Sequence, residues 1–292
     1  MKILLTGAGG QVGQSFIRYA KDKCTIHAYT HQQLSIAQQA AVEKTIQHTQ
    51  PDIVVNTAAY TQVDTAEQEP SLAFEANESG AYHLAQVCSQ QHIPLIHLST
   101  DYVFSGDKNT PYVETDACQP CNLYGESKLR GEQAIQAHCP THLILRVSGV
   151  FSPYKTNFVK KMLSLAKQHE TLNIINDQFL RPTAASDIAS AIYTLCQQIH
   201  RPAFRAWGIY HFCSQETTSW YDFADAIFKI AQHIDPTLRR PQLHPLSHQD
   251  YPTPAKRPRF SALHCEKIHR QFGLSQPDWR TSLKMVISEN MT

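Results

Sequence analysis

Short apolar runs recur along the first half of the chain at residues 3–5, 25–29, 53–55, 94–98 and 143–147. Each is followed by a stretch in which apolar residues return at helical spacing. Val12, Phe16 and Tyr19 fall on one helical face, as do Leu84, Val87 and Cys88, so these connections can pack onto a sheet built from the runs. The pattern predicts a Rossmann-type α/β fold, a doubly wound parallel sheet over residues 1–150. Beyond Val147 the rhythm loosens, giving a helix near 157–168, a strand near 172–175 and a helix near 186–197. That last helix is expected to rejoin the first domain, within 182–200. From about Pro202 onward, Pro252, Pro254 and Pro258 lie between amphipathic helices such as 220–231, so residues 151–292 read as a smaller C-terminal region covering the sheet.

With 292 residues, 42% hydrophobic and 17% charged, the chain can bury a full α/β core and is not disordered. A formal net charge of +1 offers no basic footprint, so the expected partner is a small molecule and not nucleic acid. The eight cysteines are spread too widely for a disulfide framework and read as reduced thiols. The apolar run at the start is too short for a signal peptide, and no stretch approaches a membrane span. A cytoplasmic protein without membrane partners is expected, and a homodimer is left open.

The first run leads into Thr6-Gly7-Ala8-Gly9-Gly10-Gln11-Val12-Gly13 and then into a helix. Gly7 permits the tight turn, Gly10 lets the backbone approach a pyrophosphate, and Gly13 lets the helix pack close to the strand. The pyrophosphate would meet the free N–H groups and positive dipole end of that helix. After the second run, Thr30-His31-Gln32-Gln33 contains neither an acid to hold a ribose 2′-hydroxyl nor an arginine to hold a 2′-phosphate. NADPH is the expected cofactor, with NADH also accepted.

Ser99-Thr100-Asp101-Tyr102 closes the fourth run, where open parallel sheets place their sites, and Tyr124-Gly125-Glu126-Ser127-Lys128 follows. Tyr124 and Lys128 are one helical turn apart and share a face. A phenol of pKa about 10 is a poor acid at neutral pH; a neighbouring ammonium is expected to lower it, while Thr100 donates to the same substrate oxygen.

The Gly-rich turn, the Ser-Thr at the strand end and the Tyr/Lys pair together resemble the extended short-chain dehydrogenase/reductase family. Within it, residues 10–13, 54–64, 99–104, 122–129, 175–178, 182–183, 251–255 and 257–258 are similar to the dTDP-4-dehydrorhamnose reductases. The resemblance implies NAD(P)H-dependent reduction of the 4-keto group of a nucleotide-linked 6-deoxy sugar, dTDP-4-dehydrorhamnose to dTDP-L-rhamnose. It implies Thr100, Tyr124 and Lys128 as the catalytic triad. Gly10 to Val12 and Ala59 to Thr61 would line the cofactor, joined by Gly7, Gly13, Thr30, Ser35 and Ala58. Thr100, Asp101 and Tyr102 would meet the sugar, and residues 151–292 would form the nucleotide-sugar-binding region. Arg257, within the basic run Lys256, Arg257 and Arg259, is the candidate clamp for the nucleotide.

Three departures from that pattern stand out. Gly149 stands where relatives carry a tryptophan, Leu180, followed by Arg181, stands where a glycine is common, and Ser35 stands where an acid often lies near the adenosine. Gly149 implies a wider sugar pocket. Either Leu180 and Arg181 fill it, Arg181 pairing with a diphosphate or an unusual sugar, or both face solvent and Gly149 relaxes a turn.

A dehydratase would need two consecutive carboxylates after the threonine, and Tyr102 follows Asp101. An epimerase and a non-catalytic dinucleotide-binding subunit, like the regulatory subunit of methionine adenosyltransferase, remain as alternatives. Cys118 and Cys121 lack a second ligand pair, so no metal is expected. The histidines read as surface or satisfied core residues, and 220–223 as core packing.

Overall fold

A computed structural model of the chain describes residues 1–201 and 203–291. Pro202, where the sequence places the start of the proline-rich part, and Thr292, the last residue of the second region, lie outside the described residues. The first half runs β1 (Lys2–Thr6), α1 (Gln11–Ala20), β2 (Thr25–Tyr29), α2 (Gln39–Thr49), β3 (Ile53–Asn56), α3 (Val63–Ala66), α4 (Pro70–Phe74), a π-helical turn (Glu75–Ser79), α5 (Gly80–Gln90), β4 (Leu95–Thr100), a 3-10 turn (Asp101–Val103), α6 (Leu123–His138) and β5 (His142–Val147). The remainder adds β6 (Val150–Phe151), α7 (Phe158–Ala166), β7 (Thr171–Ile175), β8 (Phe179–Leu180), β9 (Thr183–Ala184), α8 (Ala185–Ile199), β10 (Gly208–His211), β11 (Thr218–Ser219), α9 (Trp220–Ile234), β12 (Gln242–Leu246), α10 (Glu266–Phe272) and α11 (Trp279–Met291).

The main sheet is parallel, in the order β10-β5-β4-β3-β1-β2. Its central strands are buried on both faces, which is why they read in sequence as continuous apolar runs and not as alternating ones. On one face Ile3, Leu5 and Val55 pack with Val12 and Phe16 of α1 and Ile188, Ile192 and Leu195 of α8. On the other, Leu4, Val54 and Ile144 pack with Ile46, Leu84 and Ile135. Strand β10 has no counterpart in the sequence pattern. Its four residues, Gly208 to His211, are too few to show a period, and the pairing with β5 supplies what the pattern lacks.

A second core gathers Phe151, Val159, Met162, Phe223, Ile227, Phe228, Trp279 and Leu283, with α7, α9 and α11 around the paired strands β7 and β12. Phe223 is 1% exposed and its ring lies 5.6 Å from Phe151, 5.7 Å from Phe158 and 5.4 Å from Trp279, so residues 220–223 serve packing.

One buried ion pair joins α6 to the sheet. Arg146 of β5 and Glu132 of α6 are 2% and 0% exposed, and the guanidinium donates from Nε at 2.9 Å and from Nη2 at 2.5 Å to the two carboxylate oxygens. Nη2 also donates to Cys118 Sγ at 3.2 Å. Removing one partner of such a pair strands a charge in the interior. Glu132→Ala is therefore expected to lower unfolding free energy by about 3–5 kcal/mol in denaturant titrations. A loss below about 1 kcal/mol, as for a surface pair, would show that solvent reaches Arg146.

Candidate cofactor and sugar site

The turn after β1 has the shape its glycines predict. Gly7 has φ +73°, and a Cβ there would stand 2.4 Å from the Ala58 backbone nitrogen, so the turn and the end of β3 touch backbone to backbone. A Cβ on Gly10 would meet only the Gly7 carbonyl oxygen, at 3.2 Å, and otherwise open space above α1. No side chain caps that helix. Bare N–H groups below an open, Cβ-free surface fit a dinucleotide pyrophosphate. Val12 and Gly13 lie in the first turn of α1, while Gln11 turns away: its Oε1 accepts from Ser152 Oγ at 2.8 Å and Asn157 Nδ2 at 3.0 Å. Thr30 donates from its backbone nitrogen and its hydroxyl to Gln33 Oε1, and Ser35 lies half-buried just beyond that turn.

The segment from Ala58 to Thr61 lies across from this turn and is held by two asparagines. Asn56 Oδ1 accepts from the Ala58 N–H at 3.0 Å. Asn77, in the π-helical turn, accepts from the Tyr60 N–H at 2.9 Å and donates to the Tyr60 carbonyl at 3.0 Å and to Ser127 Oγ at 2.9 Å. Ser127 in turn donates to the Tyr124 carbonyl at 2.8 Å. Asn77 thus ties the cofactor segment to α6. The sequence reading misses it, because a π turn looks like ordinary helix in a periodicity; such turns recur at functional sites.

Thr100 ends β4 and caps the 3-10 turn, and α6 begins at Asn122, whose Oδ1 accepts from Gly125 N at 2.7 Å. The structure brings Thr100, Asp101, Tyr102 and Tyr124 together: the Thr100 hydroxyl lies near enough to the Tyr124 phenol to lower its pKa against the effect of burial, and the rings of Tyr102 and Tyr124 meet edge-on at 5.9 Å. Lys128 stands one turn below, 2% exposed, donating from Nζ to the Leu98 carbonyl at 2.8 Å and lying 3.2 Å from His97 Nε2.

The electrostatics differ from the expectation of a lowered phenol. Burial pushes Tyr124 up to about 12 and the Asp101 carboxylate adds to this, against the opposing Thr100 hydrogen bond. The Lys128 nitrogen is held on β4, where it donates to the Leu98 carbonyl. Burial also lowers Lys128 to about 8, partly offset by Glu132.

The wider pocket at Gly149 is not formed. Gly149 has φ +54°, and a Cβ there would lie 2.6 Å from Leu180 Cδ1 and 3.1 Å from Pro182 Cα. Leu180, 3% exposed, fills the space that a larger residue would need. Arg181 is engaged elsewhere, donating to the Leu263 carbonyl at 2.9 Å and Thr217 Oγ1 at 3.2 Å. Arg257 is paired with Asp64 at 2.7 Å, and its positive charge opposes the rise that burial imposes on the Tyr102 phenol.

The residue-1 to residue-292 span matches the family model described as the RmlD substrate binding domain. The dTDP-4-dehydrorhamnose reductase of Sinorhizobium fredii is 40% identical over 288 residues, 98% of this chain and 97% of that one. Among solved structures, a Clostridium acetobutylicum dTDP-4-dehydrorhamnose reductase superposes with a TM-score of 0.92 at 33% identity, covering 100% of both chains. A Bacillus anthracis dTDP-4-dehydrorhamnose reductase in complex with NADP superposes with a TM-score of 0.91 at 31% identity, covering 99% of both.

Asp101 generates a test. It is 3% exposed, accepts from Ser148 Oγ at 2.7 Å and Thr100 Oγ1 at 3.1 Å, and is pushed from 3.8 up to about 6, first by burial. A carboxyl that holds its proton more tightly when folded favours the fold at low pH. That contribution falls as pH rises from about 4 to about 6 and is absent above. Asp101→Asn should abolish this decline and leave the protein up to about 3 kcal/mol more stable at pH 7. Unfolding curves from pH 4 to 8 check it; an unaltered slope would place the Asp101 titration elsewhere.

Proposed function

The chain belongs to the RmlD substrate binding domain family of dTDP-4-dehydrorhamnose reductases, and from this premise we propose that it reduces the 4-keto group of dTDP-4-dehydrorhamnose to give dTDP-L-rhamnose, using NADPH. The observation that carries the reading is the convergence of Thr100 and Tyr124 at the carboxyl end of β4, with Lys128 one turn below and the uncapped N-terminus of α1 across the sheet. That edge is where an open parallel sheet holds a dinucleotide and its reaction partner.

The bound dinucleotide supplies the hydride that the sugar carbon receives. The chain's own residues do the rest. The Gly7 to Gly13 turn holds the pyrophosphate, and the Ala58 to Thr61 segment and Lys128 orient the nicotinamide ribose. Tyr124 holds a proton on its phenol oxygen and gives it to the ketone oxygen, while Thr100 donates to that same oxygen and fixes its position. A phenol kept protonated by burial suits an acid that delivers its proton in the reductive direction. Asp101 and Tyr102 border the sugar, and Arg257, already paired with Asp64, closes the mouth over the nucleotide. We assign residues 1–150 together with α8 to the dinucleotide and the second core to the sugar nucleotide. The reaction belongs in the cytoplasm, where nucleotide sugars and NADPH meet.

Turnover of dTDP-4-dehydrorhamnose, followed by nicotinamide absorbance with identification of the product sugar, tests the reading. Tyr124→Phe is expected to lower kcat by about a hundredfold or more with cofactor affinity nearly intact. Unchanged turnover would remove Tyr124 from the chemistry.

The cofactor preference follows from the loop after β2, where Thr30, His31, Gln32 and Gln33 present no carboxylate to repel a 2′-phosphate. The ratio of kcat/KM for NADPH over NADH is expected to be at least one. A strong preference for NADH would mean that an acid from another segment caps the ribose.

A further inference from the structure

A row of buried polar side chains crosses the middle of the sheet and ends on Lys128. Thr6, Asn56 and His97 are paired neighbours on β1, β3 and β4, and all three are 0–1% exposed. In a sheet interior that is otherwise aliphatic, each must be satisfied within the row. Asn56 Oδ1 accepts from Thr6 Oγ1 at 2.6 Å and from the Ala58 backbone N–H at 3.0 Å.

The Ala58 contact removes an ambiguity. A backbone N–H can only donate, so the oxygen of the Asn56 amide must face it and the amide nitrogen must face His97. Asn56 Nδ2 therefore donates to His97 Nδ1 at 2.8 Å. An imidazole whose Nδ1 accepts carries its proton on Nε2 when neutral, and burial, with the Lys128 charge, holds His97 well below its ordinary range. That Nε2 lies 3.2 Å from Lys128 Nζ. An ammonium has no lone pair to receive an N–H, whereas a free amine can donate to the Leu98 carbonyl and accept from His97, satisfying all three groups.

We propose that His97, locked by Asn56 as its Nε2–H tautomer, is a positioning residue that presents this N–H to Lys128 and biases it toward the uncharged amine. The inference rests on the functional reading only for the importance of Lys128. Other groups around Lys128 are already engaged. Glu132, the next turn along α6, is paired with Arg146, and His142 of β5 acts on His97 with its Nδ1 on the Cys139 carbonyl. Asp101 and Tyr102 face Tyr124, and the buried pair Asn77 and Ser127 carries no charge. Burial lowers Lys128 to about 8, so its charge is lost well below the pH at which an exposed lysine titrates.

Nitrogen NMR on the full chain without sugar tests this. With histidine and lysine labelled, and the two signals assigned through His97→Gln and Lys128→Gln, the His97 proton is expected on Nε2 from pH 6 to 9 and the Lys128 nitrogen is expected to titrate near 8. A proton on Nδ1, or a Lys128 titration at 10 or above, overturns the proposal. Asn56→Asp replaces the donor facing Nδ1 by an acceptor, and should move the imidazole proton to Nδ1 and raise the Lys128 titration by about one unit or more. The alkaline limb of kcat should follow it upward. A proton that moves without any change at Lys128 overturns the proposal, and so does a Lys128 shift with the proton still on Nε2, which would trace to the added charge alone. If Asn56→Asp does not fold, the wild-type tautomer and titration decide. Neither requires turnover, so failure to reduce dTDP-4-dehydrorhamnose would overturn the functional reading and leave this one standing.

Discussion

A helix that buries polar groups must find their partners in whatever it lies against, and α6 does so three times in succession. Tyr124, Lys128 and Glu132 follow one another at single-turn spacing on the face turned to the sheet. Glu132 meets Arg146, Lys128 meets β4 at Leu98 and His97, and Tyr124 meets Thr100. Sliding or rotating the helix by one residue would break all three matches and leave ions in an interior that cannot solvate them. The pair with Arg146 therefore fixes more than a contact. It fixes the register in which the two upper side chains reach the end of β4, so a distant and chemically inert ion pair sets the geometry of the reactive end.

The two cores meet along a seam built from main-chain contacts and short polar links. Asn122 donates from Nδ2 to the Lys256 carbonyl at 2.8 Å while capping α6, and Asp64 holds both Arg257 and the Ala255 N–H. Gln11 reaches from the start of α1 to Ser152 and Asn157, just before α7. Each link joins an element of the dinucleotide side to the loop or helix that faces it. The proline-rich 251–258 segment is thus held by Asp64 and Asn122, and the start of α1 by Ser152 and Asn157.

The sequence is legible where one physical rule dominates. Doubly buried strands must be apolar, so β1, β3, β4 and β5 show plainly, and the glycines of the turn announce a backbone contact that the Gly7 and Ala58 geometry contains. The Tyr124 and Lys128 pair is equally plain as an i, i+4 spacing. What is hidden depends on cross-strand neighbours. His97 reads as one histidine among sixteen, and only the pairing of β3 with β4 sets it between Asn56 and the helix. Gly149 reads as a missing ring, because the leucine that occupies its space lies 31 positions later. Likewise the sign of the Tyr124 shift depends on how deeply the phenol is enclosed, which spacing does not carry.

Strand β10 has a bearing on how the protein is made. It borders β5, all six residues of which are buried, yet it lies some sixty residues further along the chain, beyond α7 and α8. During synthesis the first five strands can assemble while β5 still has an open side, an apolar edge able to pair with any extended segment nearby. The interval lasts until residue 211 has left the ribosome and Phe212 can donate to the Arg146 carbonyl. For those seconds of translation the half-made sheet carries an unpaired strand edge. A chain terminated between α8 and β10 would keep that open edge permanently, a site prone to aggregation.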